Sequence, residues 1–191
     1  MIDRTPPTIV TERLTLSIGL PRDAEAMAAY LLRNRVFHEP TSPILPEESY
    51  TAGVWGARFE AFREEFARGQ SLKLLVRARA APEGDVLGVV NFSNFVWGYF
   101  RACHLGFALD ERWQGRGVMR EALGASIAYV FDELALHRVM ANHLPANERS
   151  ARVLRAMGFA PEGYARDYLF IRGAWRDHVL TALTNPRPVA P

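Results

Sequence analysis

Hydrophobic and polar positions alternate at two periods along this chain, and the switches between them outline an α/β architecture. Leu14–Ile18 alternates with period two and reads as a first strand. Pro21-Arg-Asp-Ala opens a helix that is expected to run to about Asn34. Prolines 40, 43 and 46 punctuate the loop that follows, and Pro46-Glu-Glu-Ser reads as the next helix start. That helix carries Val54, Trp55, Phe59, Phe62 and Phe66 at helical spacing, an aromatic stripe read as core. Leu72–Ala78 and Val86–Phe92 read as strands on either side of a turn at Ala81-Pro-Glu-Gly-Asp85.

A third such strand, Ala102–Leu109, runs into a glycine-rich segment, Trp113-Gln-Gly-Arg-Gly-Val-Met. From Val118 to Leu134 the apolar positions 119, 123, 127, 130 and 134 mark one face of a helix. Arg138–Asn142 reads as a strand parallel to Ala102–Leu109, because a helical crossover lies between them. A helix then starts at Asn147 as N-cap, buries Val153, Leu154 and Met157, and ends before Gly158. A hairpin turning near Arg172-Gly-Ala closes the pattern. The expected fold is a mixed central sheet with helices on both faces, forming one domain over 1–191 with a core at 8–184 and a tail at 185–191.

Composition narrows the class. With 49% hydrophobic and 23% charged residues the chain is an ordinary globular one. No apolar run approaches the roughly 18–20 residues that span a bilayer, and the first residues lack the apolar centre of a secretory signal. A lone cysteine, Cys103, excludes an intrachain disulfide, suits a cytoplasmic location and reads as a core thiol. The net charge of +2 is too mild to argue for nucleic acid. Lys73 is the only lysine, and arginines 112, 116, 120, 149, 152 and 155 surround the two motifs described next. The five histidines show no ligand spacing, so no metal site is expected.

The first motif is the turn after Ala102–Leu109. Gly115 and Gly117 allow a tight bend and close approach of a ligand to the main chain. The helix behind them presents unpaired amides and the positive end of its dipole, which suits a phosphate or pyrophosphate. The second is Ala146-Asn-Glu-Arg-Ser150, closed by Gly158-Phe159.

In this order and spacing the two motifs resemble those of the GNAT N-acetyltransferases. The pyrophosphate loop of that superfamily, Gln/Arg-x-x-Gly-x-Gly/Ala, fits from Gln114, with Met119 in the last position, or from Arg112, ending at Gly117. The Gln114 register is preferred. Gly88-Val-Val-Asn-Phe-Ser-Asn94, Arg138-Val-Met-Ala-Asn142 and the run from Glu162 to Leu183 are similar to the RimJ/RimL ribosomal-protein alanine N-acetyltransferases, the RimJ type above all.

That resemblance implies the GNAT fold, acetyl-CoA as co-substrate and the N-terminus of a ribosomal protein as acceptor; a monomer or weak homodimer is the default expectation. It implies that Phe107, Ala108 and Leu109 pair with the pantetheine arm, and that Gln114, Gly115, Arg116, Gly117, Val118 and Met119 hold the pyrophosphate. Asn147, Ser150 and Arg152 would complete the cofactor site. Acetyl transfer needs a neutral amine and a proton for the departing thiolate, but no covalent enzyme intermediate. Glu111, with Asp110 beside it, stands where the resemblance places a base, and Ser150 or Tyr164 would supply the proton. His104 and His143 are further base candidates. Phe37 and Trp55 are candidates for the acceptor cleft. Two other readings remain open: an acetyltransferase acting on a small amine or antibiotic, and a non-catalytic module that binds acyl-CoA or aids ribosome assembly.

Overall fold

A computed structural model describes residues 5–187. Eight strands form one sheet: β1 (Thr8–Val10), β2 (Leu14–Ser17), β3 (Leu72–Ala78), β4 (Gly88–Val96), β5 (Ala102–Leu109), β6 (Arg138–His143), β7 (Ala160–Ile171) and β8 (Ala174–Thr184). Their order in space is β1-β2-β3-β4-β5-β6-β8-β7, and every neighbouring pair is antiparallel except β5–β6. Among the described residues there are also four α-helices: α1 (Ala24–His38), α2 (Trp55–Ala67), α3 (Val118–Asp132) and α4 (Glu148–Ala156).

Period-two alternation sends successive side chains to opposite sides of the sheet. Leu74 and Val76 of β3 join Met119, Leu123, Ile127 and Leu154 in the core under α3 and α4. Leu75, between them, packs with Met27, Tyr30 and Phe59 under α1 and α2. Helices therefore cover both faces, as the pattern predicts. Cys103 is fully buried in the first of these cores, and burial pushes its thiol up to about 12.

Several boundaries differ from the sequence reading. α1 continues to His38, since nothing stops it at Asn34; it ends just before Pro40, whose ring has no N–H to donate. Pro46-Glu-Glu-Ser opens a short 3-10 turn, Glu47–Tyr50, and α2 starts only at Trp55. The Val86 strand begins at Gly88 and runs on to Val96, with a register shift between Ser93 and Val96. α3 stops at Asp132, although Leu134 beyond it is still buried. Of the α4 stripe only Leu154 is fully buried; Val153 and Met157 are half-buried against the same core. Asn185, placed in the tail, is 7% exposed and docked on the loop before β6, its amide donating to the His137 carbonyl at 2.7 Å. Residues 188–191 of that tail lie outside the described residues.

Candidate active site

The two parallel central strands do not stay together. Their pairing runs from Ala102↔Arg138 to Leu105↔Ala141 and stops there. β5 continues to Leu109, paired with β4 alone, and β6 turns its last residues, Asn142 and His143, to β8. Backbone groups of Gly106–Leu109 on the β6 side are left without a strand partner, a slot shaped for an extended, amide-bearing ligand.

At the top of this slot the chain makes one 3-10 turn, Glu111–Trp113, and then the glycine bend. Gly115 and Gly117 have φ of 71° and 73°, a left-handed conformation that side chains resist. Gly117 is the N-cap of α3, so the first-turn amides of Val118, Met119 and Arg120 open onto the bend without intrahelical acceptors. The Gln114 side chain turns inward and donates to the Leu109 carbonyl at 3.0 Å, tying the bend to the end of β5.

The bend is also braced from the far end of the chain. The Glu121 carboxylate on α3 accepts from the Thr11 hydroxyl at 2.6 Å, the Arg13 amide at 2.9 Å and Arg13 Nε at 2.6 Å. Arg13 Nη1 donates to the Arg116 carbonyl at 3.0 Å. Burial pushes the Glu121 carboxyl up, but these donors outweigh it and hold it below the ordinary range. Sequence reading missed this brace, because Thr11 and Arg13 lie outside any motif.

Across the slot, α4 is capped by Asn147, whose side-chain oxygen accepts the Ser150 amide at 3.1 Å. This leaves the NH2 half of the Asn147 amide as a donor. Ser150 is half-buried in the first turn of α4. Its neighbour Arg149 stacks on Phe37 of α1, 4.7 Å from the ring centre, so the end of α1 and the start of α4 meet at the mouth.

Asp110 and Glu111, adjacent in sequence, have different environments. Asp110 is fully buried and accepts Arg33 Nε at 2.7 Å, Arg112 Nε at 3.0 Å and the Arg112 amide at 2.9 Å. Burial raises its affinity for a proton, but these bonds prevail and keep the carboxyl far below the usual range. It is a structural anchor. Glu111 is exposed at the mouth, and its amide donates to Asn34 Oδ1 at 2.9 Å. His38, one turn further along α1, is 3.3 Å from the Tyr30 hydroxyl by Nε2 and lies within the field of Asp110 and Glu111; burial lowers its pKa. This α1 stripe was not singled out in the sequence, since its polar residues sit within a helix of mostly apolar neighbours.

The remaining candidates are spread out. Tyr164 is exposed on β7, with its hydroxyl donating to Asp177 Oδ2 at 2.8 Å, which raises its pKa. In register it stands beyond Val179, two strands out from His143, or roughly 10 Å. His143 Nδ1 contacts the Leu144 carbonyl at 2.9 Å, and His104 Nδ1 is buried without a hydrogen-bond partner. Trp55 is core, its indole N–H donating to the Ser49 carbonyl at 2.8 Å; only Phe37 of the two aromatic candidates is at the mouth. Among the arginines near the motifs, Arg112 is held by Asp110 and Asp85, and Arg155 pairs with Glu148. Arg116 lies over the Trp113 ring, and Arg152 is exposed on α4. A cavity of about 390 Å³ lies beside the bend, lined by Asp85, Leu87, Arg112, Trp113 and Arg116 among others, and one of about 280 Å³ lies against Trp55 and Phe62.

A split pair of parallel strands, a glycine bend at a helix N-terminus and a capped second helix define a class, and comparison with known proteins places the chain in it. Residues 13–160 match the acetyltransferase (GNAT) domain family, and the chain belongs to that family. It is an acetyltransferase. It is 43% identical over 178 residues to the [ribosomal protein uS5]-alanine N-acetyltransferase of Escherichia coli (strain K12), covering 93% of this chain and 91% of that protein. The ribosomal-protein-S5-alanine acetyltransferase of Vibrio fischeri superposes with a TM-score of 0.90 at 34% identity, over 97% of this chain and all of that one. RimJ of Mycobacterium smegmatis, solved with CoA-disulfide, gives 0.85 at 26% identity, over 98% and 92%.

Proposed function

We propose that this chain transfers the acetyl group of acetyl-CoA to the α-amino group of an N-terminal alanine on the ribosomal protein uS5 of its own cell, in the cytoplasm. The observation that carries the reading is the 43% identity, sustained over 93% of the chain, with an enzyme of that acceptor.

The edge of Phe107, Ala108 and Leu109 that has no partner strand fits the amides of the pantetheine arm as an added strand, with the Leu109 carbonyl already held by Gln114. Backbone donors from Gln114 to Met119 fit the pyrophosphate, and Arg116 and Arg152, both exposed, are the cations assigned to phosphate oxygens. The NH2 of Asn147 fits a pantetheine carbonyl. Acetyl-CoA, once bound, supplies an activated thioester carbonyl. An α-ammonium titrates near 8, so Glu111 needs only to take one proton, through water, to free the lone pair for attack. As the C–N bond forms, the nitrogen sheds its second proton to solvent; as the C–S bond breaks, the Ser150 hydroxyl hands a proton to the thiolate and recovers one from solvent. Tyr164 is the alternative donor, although its hydrogen bond to Asp177 makes it hold its proton more tightly.

The test is release of free thiol from acetyl-CoA by the purified protein, with a peptide beginning in alanine, a matched peptide beginning in serine, and a panel of small amines and antibiotics. Turnover concentrated on the alanine peptide supports the reading. Turnover confined to the small amines removes the acceptor assignment and leaves the acetyltransferase, and CoA binding with no turnover would favour a binding module.

A further inference from the structure

We propose that Asn34 is a positioning residue for the transfer, its buried side chain holding the main chain of Glu111 and thereby aiming the Glu111 carboxylate at the acceptor amine. The proposal rests on Glu111 being the group that takes the amine's proton.

Asn34 is 1% exposed, in the middle of α1, where an apolar side chain would ordinarily pack against Met27, Tyr30 and their neighbours. A buried amide costs stability unless both halves are satisfied. Here both are: Nδ2 donates to the Tyr30 carbonyl at 2.9 Å, and Oδ1 accepts the Glu111 amide at 2.9 Å. The first bond stays inside the helix. The second spans 77 positions of sequence and ends on the main chain of Glu111.

That main chain needs the support. Glu111 opens a single 3-10 turn of three residues, too short to orient itself through its own hydrogen bonds. Two consecutive residues of α1 grip two consecutive residues of the corner: Arg33 holds the Asp110 carboxylate at 2.7 Å, and Asn34 holds the next peptide. The Asp110 grip fixes where the turn begins, and the Asn34 grip fixes which way Glu111 faces. Tyr30, Asn34 and His38 recur every four residues on one face of α1, so the helix presents a continuous polar stripe to this corner. The charged and titratable groups around it are Asp110, Arg112, Arg33, Tyr30 and His38. A carboxylate displaced by about 1 Å loses much of the benefit of a preorganised site, on the order of a hundredfold in rate.

The experiment measures kcat and the KM for acetyl-CoA with the alanine peptide for wild type, Asn34→Ala, Glu111→Gln and the Asn34→Ala/Glu111→Gln double variant. Asn34→Ala is expected to lower kcat by about tenfold or more with the KM for acetyl-CoA unchanged. The double variant should be no slower than Glu111→Gln alone, because Asn34 acts through that carboxylate. Should Asn34→Ala not fold, Asn34→Ser, whose hydroxyl sits one bond nearer its own main chain, takes its place. Wild-type turnover in Asn34→Ala, or losses that multiply in the double variant, would each overturn the proposal. Wild-type turnover in Glu111→Gln would remove the base assignment itself, and the role of Asn34 with it.

Discussion

Neighbouring carboxylates at 110 and 111 show how much one residue's surroundings decide its chemistry. Asp110 is buried beneath Arg33 and Arg112, and its charge is spent on holding α1 to the end of β5. Asp110→Asn keeps the volume but leaves two cations facing a neutral amide; breaking such a pair should cost about 3 kcal/mol, read as a shift in the urea midpoint. Because the native carboxyl sits below its unfolded pKa, its stabilisation is complete above pH 4 or so and fades as the pH falls from there toward the native value. Wild type and Asp110→Asn should therefore differ in stability at neutral pH and converge in acid. Glu111, exposed at the mouth, follows the opposite rule. Glu111→Gln should lower kcat by about a hundredfold, the usual worth of a proton-transfer group, while the urea midpoint stays near wild type. Both residues could be named from the sequence as candidates. Their division of labour could not, since it depends on Arg33 and Asn34, more than seventy positions upstream.

Among the elements, the glycine bend and α3 appear in the sequence with nearly their true limits, because local signals set them: left-handed glycines, a helical apolar period and an apolar strand before the turn. What holds the bend in place is not local. Glu121 joins α3 to the turn between β1 and β2 through Thr11 and Arg13, and Arg13 reaches the Arg116 carbonyl. Arg13→Ala frees the bend without touching its amides. It should raise the KM for acetyl-CoA by on the order of tenfold, the equivalent of about 1.4 kcal/mol, with kcat little changed. Steady-state kinetics at saturating acceptor would show it. The same distinction accounts for α1, whose end is set by Pro40 and not by any polar residue inside it, and for α2, which begins only where Trp55 meets the core.

Across the whole molecule, the sheet is closed at its C-terminal side by more than the last hairpin. Asn185 is buried, with Nδ2 donating to the Leu136 and Phe131 carbonyls at 3.3 and 3.5 Å and its amide to His137. It clamps the end of β8 to the passage from α3 into β6. Asn185→Ala should lower stability by roughly 1–3 kcal/mol, measurable as a fall in Tm, because two buried carbonyls lose a donor. The sequence by itself determined the alternation of strands and helices, the two faces of the sheet, the parallel pair at its centre and the two motifs that mark a GNAT acetyltransferase, since each of these is written in residues a few positions apart. Tertiary structure alone decided that β5 and β6 part after Leu105 and Ala141, that α1 grips the Asp110–Glu111 corner, that the β1–β2 turn braces the glycine bend, and that Tyr164 sits two strands out from His143. These are contacts between residues dozens to more than a hundred positions apart, and hydrophobic periodicity and short motifs carry no record of which distant partner a side chain will meet.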